Sequence, residues 1–565
     1  MMDQSSVASA RKSGLRVFVV GLDGATLDLV RPWAEEGKLP TLSRIMAEGS
    51  YGKLTSTIPP VTGPAWASFM TGKNPGKHGV GDFFRRAPGE YRRLPVDAAS
   101  IRAEPLWVAA ARQGKKVGVL NVPMTYPPYE VNGFLVSGLL TPRTGSTFTH
   151  PEGLARELDE AVGDYRVNLD HFYTEGSAEP FLVDLRALVD ARTRAAEYLM
   201  GKYEWDFFMV HYIATDWVQH FMWHCMDPSH PRFDEAEARL YGDAILRTYQ
   251  QVDGALERLI SGLGRNTVVV VVSDHGFGPF HNYIYLNNWL LQKGLLSLKS
   301  GPATRLKYWL FRRGFTPSNL YRALARTATV KLAFKASKQQ RYELMSTWFL
   351  SGKDIDWART RAHAAGNVGQ ILLNVRGREP SGVVERGVEY EGLRDEIISM
   401  LSQLRDPQTG ELLVDHVYRR EEIYSGPYVD QMADILLLPR NLEYGSTGLS
   451  EFVSNSIVAP SPGYTGAHRM DGMFMLMGDG VRRGVVRQDA AIVDMAPTIL
   501  YLLGLPVSRD MDGRVLTGLL EEEWTSSRPV CYTDEDPGAL VSGPGLTDQE
   551  SEEVRDRLRS LGYVS

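Results

Sequence analysis

Two cysteines in 565 residues, Cys225 and Cys531, leave no room for a disulfide framework and suit a reducing compartment. Long apolar runs are also missing. No segment reaches the roughly 18 residues of a membrane span, and the run from Val17 to Val20 is too short for the core of a secretory signal. A cytoplasmic protein is expected. Excess positive charge is absent as well: the net charge of −6 argues against a general nucleic-acid binder, and no duplex partner is expected. The chain carries no internal repeat and no low-complexity region. Locally, one sign of charge disappears. From His275 to Tyr342 there is no Asp or Glu, while Lys293, Lys299, Arg305, Lys307, Arg312, Arg313 and further basic residues fall there, interleaved with Tyr308, Trp309, Leu310 and Phe311.

What is present begins with Thr267 to His275, TVVVVVSDH, followed by the turn Gly276-Phe277-Gly278-Pro279. A β-branched run without polar alternation reads as a strand buried on both faces, the kind found inside a parallel sheet. Asp274 and His275 stand at its carboxyl end, where open α/β sheets place their ligand sites. Leu15 to Leu22 is a second such strand, ending in Asp23-Gly24. Trp205 to His211 is a third and runs into YIATDWVQH, which puts Asp216 and His220 four apart on one face of a helix. Thr62 precedes Gly63-Pro64 at the expected start of a helix over Ala65–Met70, in the positive end of its dipole. His468 lies in the glycine-flanked loop YTGAHR. Each feature has a plainer reading: turn or helix caps for Asp23, Asp274 and Thr62, a surface pair for Asp216 and His220, an ordinary loop histidine for His468. His78 is assigned no role.

Length and composition allow several units. We read residues 1–14 as a disordered tail, 15–295 and 351–530 as two parts of an α/β core, 296–350 as a basic helical insertion, and 531–565 as an acidic tail with a short helix. The insertion is a solvated cationic face, a lid that draws an anionic substrate to the mouth, or a patch for an anionic membrane surface; the lid is preferred.

Six Asp or His donors divide into two sites of three, each with room for a water or substrate oxygen, as in catalytic zinc sites. Two divalent ions about 4 Å apart suit in-line displacement at phosphorus. A threonine hydroxyl needs activation by a base or a metal before it can attack. Zn²⁺ is the expected ion, with Mn²⁺ or Co²⁺ compatible with the same donors.

VFVVGLDG, VTGPAWASFMTGKNPGKHG, DWVQH, SDHGFGP and TGAH stand in the order seen in the alkaline phosphatase superfamily. The chain resembles its type I phosphodiesterase/nucleotide pyrophosphatase branch, and within it the predicted cytoplasmic phosphohydrolase/mutase group, from about Leu15 to Leu519. The resemblance implies a central, mostly parallel sheet with helices on both faces and cap insertions over the site, the basic stretch being one. It implies that Asp23, Thr62, Asp274 and His275 surround one ion, with Thr62 as nucleophile, and that Asp216, His220 and His468 surround the other. The expected reaction is hydrolysis of a small anionic phosphoester through a phospho-threonine. A phosphomonoesterase, phosphonate hydrolase or phosphomutase on the same site is the alternative, and a binding protein that has lost catalysis is a third reading. Two departures bear on substrate. HGVGDFF lacks the asparagine that nucleotide-cleaving members carry shortly after HG, and the nucleophile position holds neither the cysteine nor the serine that sulfatases convert to an aldehyde.

Overall fold

The computed structural model of the chain describes residues 15–87, 89–142, 147–163, 165–174, 176–320, 346–366, 368–447, 452–461, 463–535, 538 and 545–560. The tail expected over 1–14 and the middle of the basic stretch, 321–345, lie outside the described residues. The part of that stretch within them includes a helix, Pro302–Arg312, with Phe311 buried and Trp309 exposed. Among the described residues no helix is long and apolar enough to cross a membrane.

The centre is a nine-stranded sheet of β1 (Arg16–Leu22), β2 (Ser50–Thr55), β3 (Val117–Leu120), β4 (Gly133–Val136), β5 (Thr149–His150), β6 (Phe207–Tyr212), β7 (Thr267–Val272), β8 (Asp471–Met477) and β9 (Val485–Ala491). Their order is β9-β2-β8-β7-β1-β6-β3-β4-β5. Pairings from β7 through β1, β6 and β3 to β4 are parallel, while β8 runs against β2 and β7, and β5 against β4. Helices pack on this sheet, among them Pro40–Glu48 against β8, Leu106–Arg112 against β3 and Ala178–Lys202 against β6. The result is the α/β architecture with buried parallel strands that the β-branched runs predict, in the alkaline-phosphatase-like arrangement that the family resemblance implies. Every residue of β6 and of β7 is buried, and each valine so covered contributes about 1.5–3 kcal/mol of transfer free energy.

Between β7 and β8 the chain leaves the sheet. There it builds a four-stranded antiparallel sheet in the order Ala362–Ala365, Gln370–Leu373, Ile435–Pro439, Val414–Arg419. A separate apolar core, including Trp289, Ile371, Leu373, Ile397, Ile435 and Leu437, lies beneath it. The return is made by an antiparallel ribbon of Gly276–Pro279 with Gly466–Arg469, in which Phe277 stands opposite His468. That pairing carries a residue from beyond the excursion back to the end of β7.

Candidate metal centre

The site is assembled at the carboxyl ends of three adjacent parallel strands. β1 and β7 are in register with Gly21 opposite Val272, so the residues that follow, Asp23 and Asp274, emerge side by side. β1 and β6 pair Leu22 with Tyr212, and after Ile213 the chain turns into helix α2 (Ala214–Met226), whose first turn carries Asp216 and whose second carries His220. Thr62 is the first residue of helix α1 (Thr62–Thr71). Gly24 allows the crowding: its φ is +65°, and a Cβ there would stand 2.8 Å from the Phe277 ring and 3.3 Å from Asp216 Oδ1.

All seven residues singled out in the sequence converge, in two groups of donors. His220 Nε2 and His468 Nε2 are 3.0 Å apart, and both face Asp216 Oδ1, at 3.4 and 3.2 Å. In the other group His275 Nε2 lies 3.2 Å from Asp274 Oδ2, 3.6 Å from Asp23 Oδ1 and 3.4 Å from Thr62 Oγ1. The groups adjoin, because the His275 and His468 rings stack with centroids 3.6 Å apart.

These donor sets fit divalent ions on three grounds. Donors about 2.0–2.2 Å from a tetrahedral zinc lie about 3.3–3.6 Å from one another, close to the spacings found here. In each histidine, Nδ1 faces a backbone carbonyl, that of Gly466 for His220 (2.9 Å), Pro60 for His468 (2.8 Å) and Gly276 for His275 (3.1 Å). A proton donated there leaves Nε2 as a lone pair aimed into the cluster, the usual arrangement of metal-ligating imidazoles. Finally, buried Asp23 Oδ1 and Asp274 Oδ2 have no hydrogen-bond partner among the described residues, a costly state for carboxylates unless a cation compensates them.

The electrostatics point the same way. Burial raises Asp23, with His211 opposing and the Asp216 charge adding. Asp274 is pushed well above the usual carboxylate range by burial and by Asp23. Burial also pushes Asp216 up, but His220 and His468 outweigh it and hold the group well below its ordinary value. Burial and neighbouring His468 drive His275 well down.

Several contributors gave no signal in the sequence. Asp23 Oδ2 receives a hydrogen bond from Trp66 Nε1 (3.0 Å) and lies 2.9 Å from His211 Nε2. Thr215 Oγ1 donates to the Asp23 carbonyl at 2.6 Å, and Gly24 N donates to Asp274 Oδ1 at 3.1 Å. Tyr464 stacks on His220 with centroids 4.0 Å apart. The only cue to His211 is its place at the end of a buried strand. His78, left without a role, is buried, accepts from Val80 N at Nδ1 (3.2 Å) and pairs with Ser68 Oγ (2.9 Å). Burial pushes it down to about 3. Beside His220 and His468 opens a cavity of about 70 Å³, walled by Tyr283, Tyr444, Tyr464 and Val368.

Residues 17–444 match the family model for type I phosphodiesterase/nucleotide pyrophosphatase. No curated protein matches the sequence. Among solved structures, an inactive variant of murine ectonucleotide pyrophosphatase/phosphodiesterase 5 in complex with AMP is similar over 90% of this chain and 100% of that one, with a TM-score of 0.50 and 14% identity. The human protein of that name gives a TM-score of 0.49 at 15% identity over 90% of this chain and 100% of its own. Phosphonoacetate hydrolase from Sinorhizobium meliloti, in complex with phosphonoformate, gives 0.48 at 18% over 87% and 95%. At 14% identity the likeness to the murine protein is one of fold. The family match rests on sequence and takes in every clustered donor but His468, and by it the chain belongs to the type I phosphodiesterase/nucleotide pyrophosphatase family.

Proposed function

We propose that the protein is a metal-dependent phosphoester hydrolase of phosphodiesterase type, with Thr62 as nucleophile and two ions held by Asp23, Thr62, Asp274 and His275 and by Asp216, His220 and His468. One observation carries the reading: a buried threonine hydroxyl at a helix N-terminus lies 3.4 Å from His275 Nε2 within one three-donor group, against which a second group is stacked. Two divalent ions, zinc by the donor chemistry, supply Lewis acidity toward the phosphoryl oxygens and lower the pKa of hydroxyl and water.

Thr62 Oγ1, its proton released to solvent, forms the new bond to phosphorus as the bond to the leaving alkoxide breaks. The α1 amide end faces the growing negative charge. Water then attacks the phospho-threonine, the Oγ1–P bond breaks, and a phosphomonoester leaves. Trp66 and His211 hold Asp23 in place throughout. The aromatic-walled cavity beside His220 and His468 suits an apolar or aromatic ester substituent. This feature favours a diester over the second reading, a monoesterase, phosphonate hydrolase or phosphomutase. Turnover of bis-aryl phosphates and aryl phosphomonoesters, each with chelator and with restored zinc or manganese, tests the proposal. Zinc- or manganese-restored diester hydrolysis is expected; a strong monoester preference would move the protein to the second reading, and hydrolysis indifferent to chelator would remove the metals from it.

A further inference from the structure

One helical turn beyond His220, α2 carries a different set of donors. His224 Nε2 lies 3.0 Å from Glu237 Oε2, on helix α3 (Glu235–Tyr241), and 3.5 Å from Cys225 Sγ. All three donor atoms fall within 4.8 Å of one another. We propose that His224, Cys225 and Glu237 form a third divalent-cation site, selective for zinc-like ions and separate from the two groups that meet at His275 and His468.

Three features support it. The first is spacing: a tetrahedral zinc with Zn–N about 2.05, Zn–O about 2.1 and Zn–S about 2.3 Å sets N···S near 3.6 and N···O near 3.4 Å. The observed 3.5 Å already matches, and Glu237, with its side chain half exposed, need retreat only slightly. The second is proton placement. His224 Nδ1 lies 3.2 Å from Thr465 Oγ1, whose own proton is directed to the His220 carbonyl at 3.2 Å. With the Thr465 hydroxyl donating to that carbonyl, its oxygen accepts from His224 Nδ1–H, which leaves Nε2 unprotonated and facing a carboxylate oxygen. A cation between these two acceptors would satisfy both. The third is charge: ligation releases the Cys225 thiol proton to solvent, and a divalent ion with one thiolate, one carboxylate and one neutral imidazole sums to zero, which a buried position favours. Thiolate with imidazole selects zinc over magnesium or manganese. Glu237 leaves the site open to solvent, which gives the ion an entry path and a water for its fourth position.

Such an ion would tie α2 to α3 and, through Thr465, to the segment that delivers Gly466 O to His220 Nδ1 and carries His468. It would be a structural brace rather than part of the reacting centre, and its existence does not depend on the proposed reaction.

The test is sulfur ligation. The full chain, stripped of metal and reloaded with cobalt(II), should show a near-ultraviolet thiolate-to-cobalt charge-transfer band. Asp and His ligands alone cannot produce it. The band should persist in Cys531→Ser and in Asp216→Ala, disappear in Cys225→Ser, and be lost together with one bound equivalent in Glu237→Gln. Glu237 is exposed, so that variant reports even if Cys225→Ser does not fold. A band absent from the parent protein, or unchanged in Glu237→Gln, overturns the proposal and leaves an ordinary Nε2–H···carboxylate hydrogen bond. Loss of an ion in Asp216→Ala with the band intact keeps this outcome apart from that of the catalytic reading.

Discussion

Thr62 is the residue whose change separates chemistry from metal binding. On the proposed mechanism its replacement by Ala removes the nucleophile but takes only one of four donors from the group that also holds Asp23, Asp274 and His275. Turnover of a bis-aryl phosphate should fall by about 10³-fold or more while metal analysis still finds both ions. Thr62→Ser, which restores a hydroxyl on a less constrained side chain, should keep measurable activity. Loss of both ions from Thr62→Ala would make the residue chiefly structural. The partners of Asp23 act differently. Removing Trp66 Nε1 (Trp66→Phe) or His211 (His211→Ala) frees a carboxylate that both now orient, and ion affinity should weaken by about 10–100-fold. Competition with a chromophoric chelator measures this, and unchanged affinity in both variants would show that Asp23 is held by the backbone alone. Asp and His at strand ends were readable because buried strands have no other use for them. Trp66 and His211 were not, because their role depends on register: His211 stands opposite Gly21, where a Cβ would come within 2.7 Å of Trp66 and 3.0 Å of His211. The missing side chain at Gly21 makes room for both rings to reach Asp23, and no local pattern announces that.

At the scale of elements, one buried carboxylate ties together several parts of the excursion between β7 and β8. Asp434 accepts from Arg378 Nη1 and Nη2 (2.7 and 2.6 Å), Arg420 Nη1 (3.2 Å), Tyr390 Oη (2.8 Å) and Leu373 N (2.8 Å). Burial alone would push its pKa up, but Arg378 and Arg420 prevail and hold it below the ordinary carboxylate value. A folded-state pKa below the unfolded one contributes stability above about pH 4 and loses it as pH falls through the folded value. Asp434→Asn should therefore cost about 3–5 kcal/mol at neutral pH and flatten the acid limb of the stability curve. Faster hydrogen exchange over 370–373 and 435–439 with the nine-stranded sheet still protected would locate the loss, and an unaltered acid limb would count against Asp434 as its source. The sequence reads as strands at 371–375, 414–418 and 435–438, three of the four in this sheet, and gives no such reading for Ala362–Ala365. Their membership in a sheet of their own was not legible, since pairing is fixed by contacts far along the chain. The same holds for helix Pro40–Glu48: Leu39 supplies no side-chain cap, and the first amides are met by Asp253, which accepts from Thr41 N and Leu42 N at 3.0 and 2.8 Å.

At the scale of the molecule, the candidate site is where separate parts of the fold meet. Asp23, Asp216 and Asp274 leave three neighbouring parallel strands, while His468 arrives only after the chain has built its second core and returned along the Gly276–Pro279 ribbon. Folding thus gathers three buried carboxylates into one place, and Asp23 and Asp274 are raised by burial because ionising them there is unfavourable. Cations that bound the folded state alone would offset this cost, which on the two-ion reading links ion binding to folding. At a free concentration of 100 times its dissociation constant, each ion adds about 2.7 kcal/mol, and about 2–4 °C of Tm accompanies each kcal/mol in chains of 150–250 residues, somewhat less in a longer one. Chelation should lower the calorimetric Tm by several degrees and added zinc should restore it. In Asp216→Ala or His220→Ala, each of which should empty one group, the chelator should produce a clearly smaller drop than in the parent chain. Thr62→Ala should keep most of the parent's response, because it takes away the proposed reacting group and leaves three donors in place. A Tm indifferent to chelator in the parent protein would mean that the carboxylates are balanced by protons rather than by metal, and the two-ion reading would then have no thermodynamic footing.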